Sequence, residues 1–246
     1  MQLRFDLHVH SERSFDGCMS MDEIVSLARE RGLNGVAVCD HDLAPECAPV
    51  FDDFLVIPAT EISTERGHLL GLFAPEKIET KSFAEAVEAI HAQGGIAVIA
   101  HPFEHSTNFE RLDDVMDTLD AVEIWNSRAD RKNKNANAMA LELAEKFNKP
   151  VTAGSDAHLP EELGGGVTVL EAETLTLTAV KAAILSGAVQ VEGKRARAGC
   201  VAKSQKTKRK KLNSGAKANI KGALFTAKCA MQDIITKEDK WHVIDR

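Results

Sequence analysis

The chain has 246 residues, 44% hydrophobic and 27% charged, with a formal net charge of −7. That composition is globular and long enough to bury one large core, and no apolar run reaches the roughly 18–20 residues of a membrane span. Five cysteines (Cys18, Cys39, Cys47, Cys200 and Cys229) form no C-x-x-C pair. This excludes a zinc ribbon and a disulfide framework and, with no basic-then-apolar signal pattern at the N-terminus, predicts a reducing, cytoplasmic setting.

Charge divides unevenly along the chain. Residues 193–246 hold 15 Lys+Arg against 4 Asp+Glu, a net +11, whereas residues 1–192 hold 15 against 33, a net −18. A body this acidic repels phosphate and nucleic acid unless bound cations reverse the local field.

In chain order, short apolar runs predict strands over 3–10, 35–41, 54–61, 67–73, 95–101, 121–126, 150–156 and 166–171. Helices are predicted between them over 21–31, 82–93, 110–118, 135–147 and 176–186. The first has an N-cap at Ser20 with Glu23 at N3, an apolar face at Ile24, Leu27 and Ala28, and a stop at Gly32. Ser82 and Glu85 repeat the pattern. Strand–helix alternation with near-continuous apolar strands predicts a parallel sheet. Polar residues recur at the ends of the runs: His8 and His10, His41, Glu61, His101, Glu123, Asp156 and His158. A closed parallel barrel gathers such ends at one mouth, whereas an open sheet spreads them along a crevice. The expected fold is therefore α/β, a barrel over 1–192. From 193 the pattern stops, and a basic linker or flexible arm is expected, with 223–235 as a final amphipathic helix that docks on the body.

Residues 5–17 read FDLHVHSERSFDG. Alternate side chains on a strand share a face, so His8 and His10 point the same way with Asp6 beside them. Buried imidazoles without partners are costly, and a metal ion is the first candidate partner. Nine potential ligands gather at the predicted strand ends: His8, His10, Asp16, His41, Glu61, His68, His101, Asp156 and His158. Imidazole with carboxylate suits zinc, manganese or iron better than magnesium or calcium. One tetrahedral ion needs about four ligands, so the surplus points to two or three divalent ions sharing a carboxylate. Two ions roughly 3.5–4 Å apart are the usual arrangement for attack on phosphorus.

The ordered set DLHVHS, CDHD, TEIS with GHLLGLF, AHP, EIWNSR and GSDAH resembles the PHP (polymerase and histidinol phosphatase) superfamily over roughly residues 3–192. The resemblance implies a distorted (β/α)7 barrel, a metal cluster at its mouth and phosphoester hydrolysis. It implies one site at His8, His10, Glu61 and Asp156, and a second at His68 and His101 bridged by Glu61. A third is implied at His41, His158 and Asp16, where many family members carry histidine in place of Asp16. Glu61, Asp156 and His158 are the expected catalytic residues. A water between two cations loses its proton and attacks phosphorus in line, and a third ion or a protonated His158 stabilises the leaving alkoxide. Arg13 and Arg128 are candidate phosphate clamps, since guanidinium matches phosphate geometry.

The leading expectation is a phosphoesterase acting on a small phosphorylated molecule, with no membrane partner. Alternatives are a 5′-to-3′ exonuclease on short RNA or DNA, an amidohydrolase and a non-catalytic metal-binding module. No strand end carries the lysine that an amidohydrolase uses as a carbamylated bridge. The basic arm lacks interleaved aromatics for stacking on bases, so folding back onto the acidic body is preferred to nucleic-acid binding. His91, His105 and His242 read as ordinary polar residues, and Gly164–Gly166 as a turn without the Lys-Ser/Thr of a P-loop. Glu123 either orients a ligand or closes a salt bridge.

Overall fold

Strand β1 (Gln2–Val9) is the seam of the architecture. Leu3, Phe5 and Leu7 enter the main core, Val9 a second one, and Asp6 and His8 are buried as well. Burial on both faces is what a strand covered by helices requires. The computed structural model describes residues 1–46, 51–131, 133–235 and 240–245.

Helix α1 (Met21–Glu30) follows the predicted cap: Glu23 N donates to Ser20 Oγ at 3.2 Å, and Ile24, Val25 and Ala28 are buried. Next come β2 (Gly35–His41), β3 (Leu55–Thr64), β4 (Gly67–Leu72) and α2 (Phe83–Ala92), the last capped by Ser82 as expected. Then follow β5 (Ile96–Ile99), the short α3 (Glu110–Asp113), β6 (Ala121–Asn126), α4 (Ala136–Lys146), β7 (Val151–Gly154), β8 (Gly166–Glu171) and α5 (Leu177–Ser186). The chain continues through β9 (Gln190–Gly193), α6 (Ala198–Lys211), α7 (Ala216–Ile235) and β10 (His242–Asp245).

The strands form one sheet in the order β10-β9-β8-β1-β2-β3-β4-β5-β6-β7. It curls so that the segment after β7 returns to β1: Asp156 N donates to His8 O and His10 N to Ala157 O, each at 2.8 Å, and Val9 bridges Ala157. Strands β1–β7 therefore make a distorted barrel, while the first half of β1 pairs with β8 outside the ring.

The sheet is mixed, not parallel as the sequence predicted. β3–β4 and β4–β5 are antiparallel, as are the pairs among β1, β8, β9 and β10. Only Glu65 and Arg66 separate β3 from β4, too short for a crossover connection, so the pair is a hairpin. Reversal of β4 places its first residues, His68 included, at the same mouth as the last residues of β2 and β3.

The stretch from 193, read as a linker or flexible arm with a final helix over 223–235, is a helical hairpin whose second helix, α7, contains that predicted helix. Ala198 N and Gly199 N donate to Asp233 Oδ1 and Oδ2 at 2.9 Å, tying the start of α6 to the end of α7. Ala198, Ala202 and Cys229 form a small core with Phe225 against it. Few buried positions are needed to hold two helices together, which is why the apolar period is faint in the sequence. Cys39, Cys200 and Cys229 are buried, whereas Cys18 is exposed; Cys47 lies outside the described residues. Among those residues no helix is long and apolar enough to cross a membrane.

At the closure of the ring, a Cβ on Gly154 would stand 2.2 Å from His8 Cβ and 2.8 Å from His8 N. Gly154→Ala is expected to force β7 from β1 and to destabilise the protein by about 1–3 kcal/mol, the usual cost of overpacking. Urea unfolding of the variant against the parent measures this.

Candidate metal centre

Every ligand candidate sits at the barrel mouth, most of them where an element ends. β1 supplies His8 and, just beyond it, His10; the following loop supplies Asp16. His41 ends β2, Glu61 lies in β3, His68 opens β4, His101 follows β5, and Asp156 and His158 follow β7. Asp42, His101 and Asp156 have φ of 53°, 28° and 53°. Non-glycine residues adopt this left-handed region uncommonly, Asp and His more readily than most.

Glu61 is the centre, with 1% exposure. Its Oε1 lies 2.6 Å from His68 Nδ1 and 3.0 Å from His101 Nε2. Its Oε2 lies 2.8 Å from His41 Nδ1, 3.3 Å from His10 Nε2 and 3.6 Å from His8 Nε2. Asp156 Oδ1 is 3.3 Å from His10 Nε2 and 3.4 Å from His158 Nδ1. Asp16 Oδ1 is 3.1 Å from His158 Nε2 and 3.5 Å from His41 Nε2. All nine predicted ligands thus meet in one pocket.

The two histidines of β1 are held from behind. His8 Nδ1 stands 3.0 Å from Glu123 Oε1, and Glu123 Oε2 accepts from His101 N at 2.8 Å. His10 Nδ1 stands 3.1 Å from Ser14 Oγ, which donates to Asp40 Oδ1 at 2.6 Å. Since the serine proton goes to Asp40, Nδ1 of His10 carries its own proton and donates it to Ser14. In both rings Nε2 is then the atom presented to the pocket, the arrangement that outer partners impose on metal-ligating histidines. Of the two readings open for Glu123, the geometry is that of a partner orienting His8. In the sequence Asp40 is only part of CDHD, with no predicted role of its own; its place directly before His41 was the available signal.

These residues fit divalent cations. Asp16 Oδ1 and Glu61 Oε2 are buried carboxylate oxygens whose near neighbours are ring nitrogens of other ligand candidates, and cations among them would offset the cost of burying their charge. Among the described residues, three sets of ligand atoms lie within 4.8 Å of one another: His10, His41 and His158; His8, His10 and Asp156; His8, Glu61 and His101.

Electrostatics agree. Burial alone would raise Glu61 and Asp156, yet the imidazoles around each hold both well below the carboxylate range. Burial opposes charge on His41 and His101, but Glu61, with Asp16 beside His41, outweighs it and pushes them up to about 10 and about 9. His158 goes the other way, down to about 4, through burial and the charges of Arg128 and His10. A neutral His158 suits ligation and gives no proton at neutral pH, so the protonated role expected from the sequence does not fit its surroundings.

The two arginines are placed differently from their predicted roles. Arg13 Nη1 donates to Ala44 O at 3.0 Å, and Arg13 does not line the cavity. Arg128 borders the cavity, but its Nε and Nη2 are bidentate on Glu162 at 2.8 and 2.5 Å, and Nη1 donates to Ser204 Oγ. Its fork is therefore engaged, and Glu162 in turn accepts from His158 N at 3.2 Å.

Above the ligands is a cavity of about 680 Å³ whose roof the sequence did not reveal. Val201, Gln205, Lys208 and Arg209 of α6 and Lys221 and Phe225 of α7 face Asp16, His41, Glu61, His68, His101 and Asp156 across it. The +11 charge of the tail opposite a −18 body, with the apolar residues of 223–235, was the sequence signal for this docking. His105, 59% exposed, stands at the cavity edge, and His91 pairs with Asp120 away from it.

Residues 6–100 match the PHP domain and residues 134–189 the PHP-associated domain. An uncharacterized protein of Methanocaldococcus jannaschii is 31% identical over 143 residues, 51% of this chain and 82% of that one. A probable phosphatase of Shewanella amazonensis is 27% identical over 202 residues, 67% of this chain and 80% of that one. A 5′-3′ exoribonuclease of Haemophilus influenzae shares 40% identity over 81 residues, 29% of each chain. Among solved structures, the lesion-specific endonuclease of Pyrococcus furiosus superposes with a TM-score of 0.59 at 20% identity, over 80% of this chain and 60% of that one. A candidate metal-dependent phosphoesterase of Bifidobacterium adolescentis gives 0.53 at 19%, over 74% and 96%.

Metal binding must displace the protons on His41 and His101, so affinity is expected to rise with pH and binding to release protons. Without metal, these two imidazoles stabilise the fold fully below their unfolded value near 6.5 and lose that contribution as pH rises through about 9 and 10. Chelator-treated protein should therefore melt at falling temperature from pH 7 to 10, and metal-loaded protein should resist this. Calorimetric titration in buffers of differing ionisation enthalpy measures the proton release.

Proposed function

The chain belongs to the PHP domain family and is a hydrolase acting on phosphoester bonds; from that premise we propose that its substrate is a small phosphorylated molecule, a phosphomonoester or nucleotide. The observation that carries this reading is the roofed cavity. Its volume of about 680 Å³ is that of a small-molecule site, with a floor of imidazoles and carboxylates and a roof bearing Lys208, Arg209 and Lys221. Among the described residues these three cations have no carboxylate partner within 4.0 Å, so they offer their charge to a substrate oxyanion.

Three ligand sets are proposed: His8, His10, Glu61 and Asp156; Glu61, His68 and His101; and Asp16, His41 and His158. Manganese, zinc and iron suit them. Bound there, divalent ions supply Lewis acidity toward phosphoryl oxygens and lower the pKa of water. The protein's part is to hold the geometry. Glu61 and Asp156 stay ionised at neutral pH because imidazoles surround them, and Glu123 and Ser14 fix the rings of His8 and His10. Arg128, paired with Glu162, holds the backbone of the His158 segment. Lys208, Arg209 and Lys221 attract the phosphate and steady it as charge develops. Phe15, Val201 and Phe225 line the cavity as apolar walls for the rest of the substrate.

A second reading, a 5′-3′ exonuclease on short RNA or DNA, is favoured by one feature, the concentration of cations on the hairpin at the cavity rim. The two readings separate on a panel of mononucleotides, other phosphomonoesters, phosphodiesters and 5′-phosphorylated oligonucleotides of increasing length, each with manganese, zinc or iron. The small-substrate reading predicts that kcat/KM falls with length. A rise with length, with steep loss in salt, would instead establish the exonuclease, and no turnover of any phosphoester would leave a metal-binding scaffold. Glu61→Gln and Asp156→Asn are each expected to lower kcat about 10²–10³-fold, the scale of removing a group that stabilises developing charge.

A further inference from the structure

The first half of the loop that carries Asp16 is tied to β2, Ser11 and Ser14 each donating from Oγ to Asp40 at 2.6 Å. Between Ser11 and Gly17 the loop makes a tight reversal: a Cβ on Gly17 would lie 2.0 Å from Ser11 O. The carbonyls of Glu12, Ser14 and Gly17 converge on one point, and that point is filled from far away in the chain. Lys211, the last residue of α6, donates from Nζ to Glu12 O at 2.5 Å, Ser14 O at 2.8 Å and Gly17 O at 2.9 Å. An ammonium has three donors, and all three are spent on this loop.

One turn earlier on α6, Lys208 Nζ sits 4.1 Å from the centroid of Phe15, and Phe15 stacks on His41 at 4.6 Å with a 7° tilt between the rings. Lysines three apart share a helix face, so one face of α6 holds both the backbone of the loop and its aromatic side chain. Asp16 lies between these two grips, with its buried Oδ1 turned to His158 Nε2 at 3.1 Å and His41 Nε2 at 3.5 Å. Its position opposite His41 and His158 therefore depends on the loop backbone as well as on the carboxylate's own contacts with the two rings.

We infer that Lys211 is a positioning residue for the cation site formed by Asp16, His41 and His158: it couples the C-terminal hairpin to the metal centre, so the hairpin completes that site as well as roofing the cavity. This rests on the ligand sets proposed above. Lys211 touches neither the cavity nor any ligand side chain; it acts only through the carbonyls of the loop. A basic tail that merely neutralised an acidic body would have no need for three converging hydrogen bonds from a single ammonium.

The test is metal content, read by mass spectrometry on full-length protein loaded with manganese and dialysed, with Lys211→Met compared with the parent. The parent is expected to retain three equivalents and the variant two, with Asp16→Ala reproducing the loss and the double variant losing no more than either alone. Hydrogen exchange should rise in residues 11–18 of Lys211→Met and stay unchanged in β1 and β7, which distinguishes a loosened loop from a misfolded barrel. Equal metal content in Lys211→Met and parent would overturn the inference. A parent holding only two equivalents would overturn it and leave the phosphoesterase reading standing, whereas a parent holding none would overturn both.

Discussion

A carboxylate as withdrawn from water as that of Glu61 has to be surrounded by positive charge, since moving an ion into a protein interior costs several kcal/mol after relaxation. Here five imidazoles come within 3.6 Å of its two oxygens, from β1, β2, β4 and the end of β5. No one strand can bring so many rings to one point. The curl of the sheet does so, and the rest of the architecture follows from that need. The ring closes through backbone hydrogen bonds from Asp156 and His10, and Gly154 permits the close approach of β7 to His8. A reversed β4 brings His68 to the side where its neighbours end.

Around this point the protein is layered. Glu123 and the Ser14–Asp40 pair set the ring orientations of His8 and His10, leaving one nitrogen of each for the pocket. Arg128 and Glu162 form a buried pair behind His158. The two helices of the hairpin stand in front, with Lys208 and Lys211 gripping the loop of Asp16. The hairpin carries charge opposite to the body it faces, so a negative body and a positive tail make one site.

The ligand residues were legible because each motif is local: H-x-H at the end of an apolar run states both a strand and a shared face. The caps of α1 and α2 were legible for the same reason. Strand direction was not, because apolar composition does not report polarity; only the two-residue Glu65–Arg66 connection carried that information. The hairpin was hidden by its own economy, with Ala198, Ala202 and Cys229 as its small core amid many exposed lysines. The roles given to Arg13 and Arg128 rested on residue type, and residue type does not show that Glu162, 34 positions away, occupies the fork of Arg128.

The central claim is that Glu61 is shared by cations on either side of it. Anomalous diffraction from crystals of the full chain grown with manganese tests this most directly. The account predicts strong peaks against both carboxylate oxygens of Glu61, one toward His8, His10 and Asp156 and one toward His68 and His101. Manganese peaks located elsewhere, with Glu61 bonded only to its histidines, would contradict it.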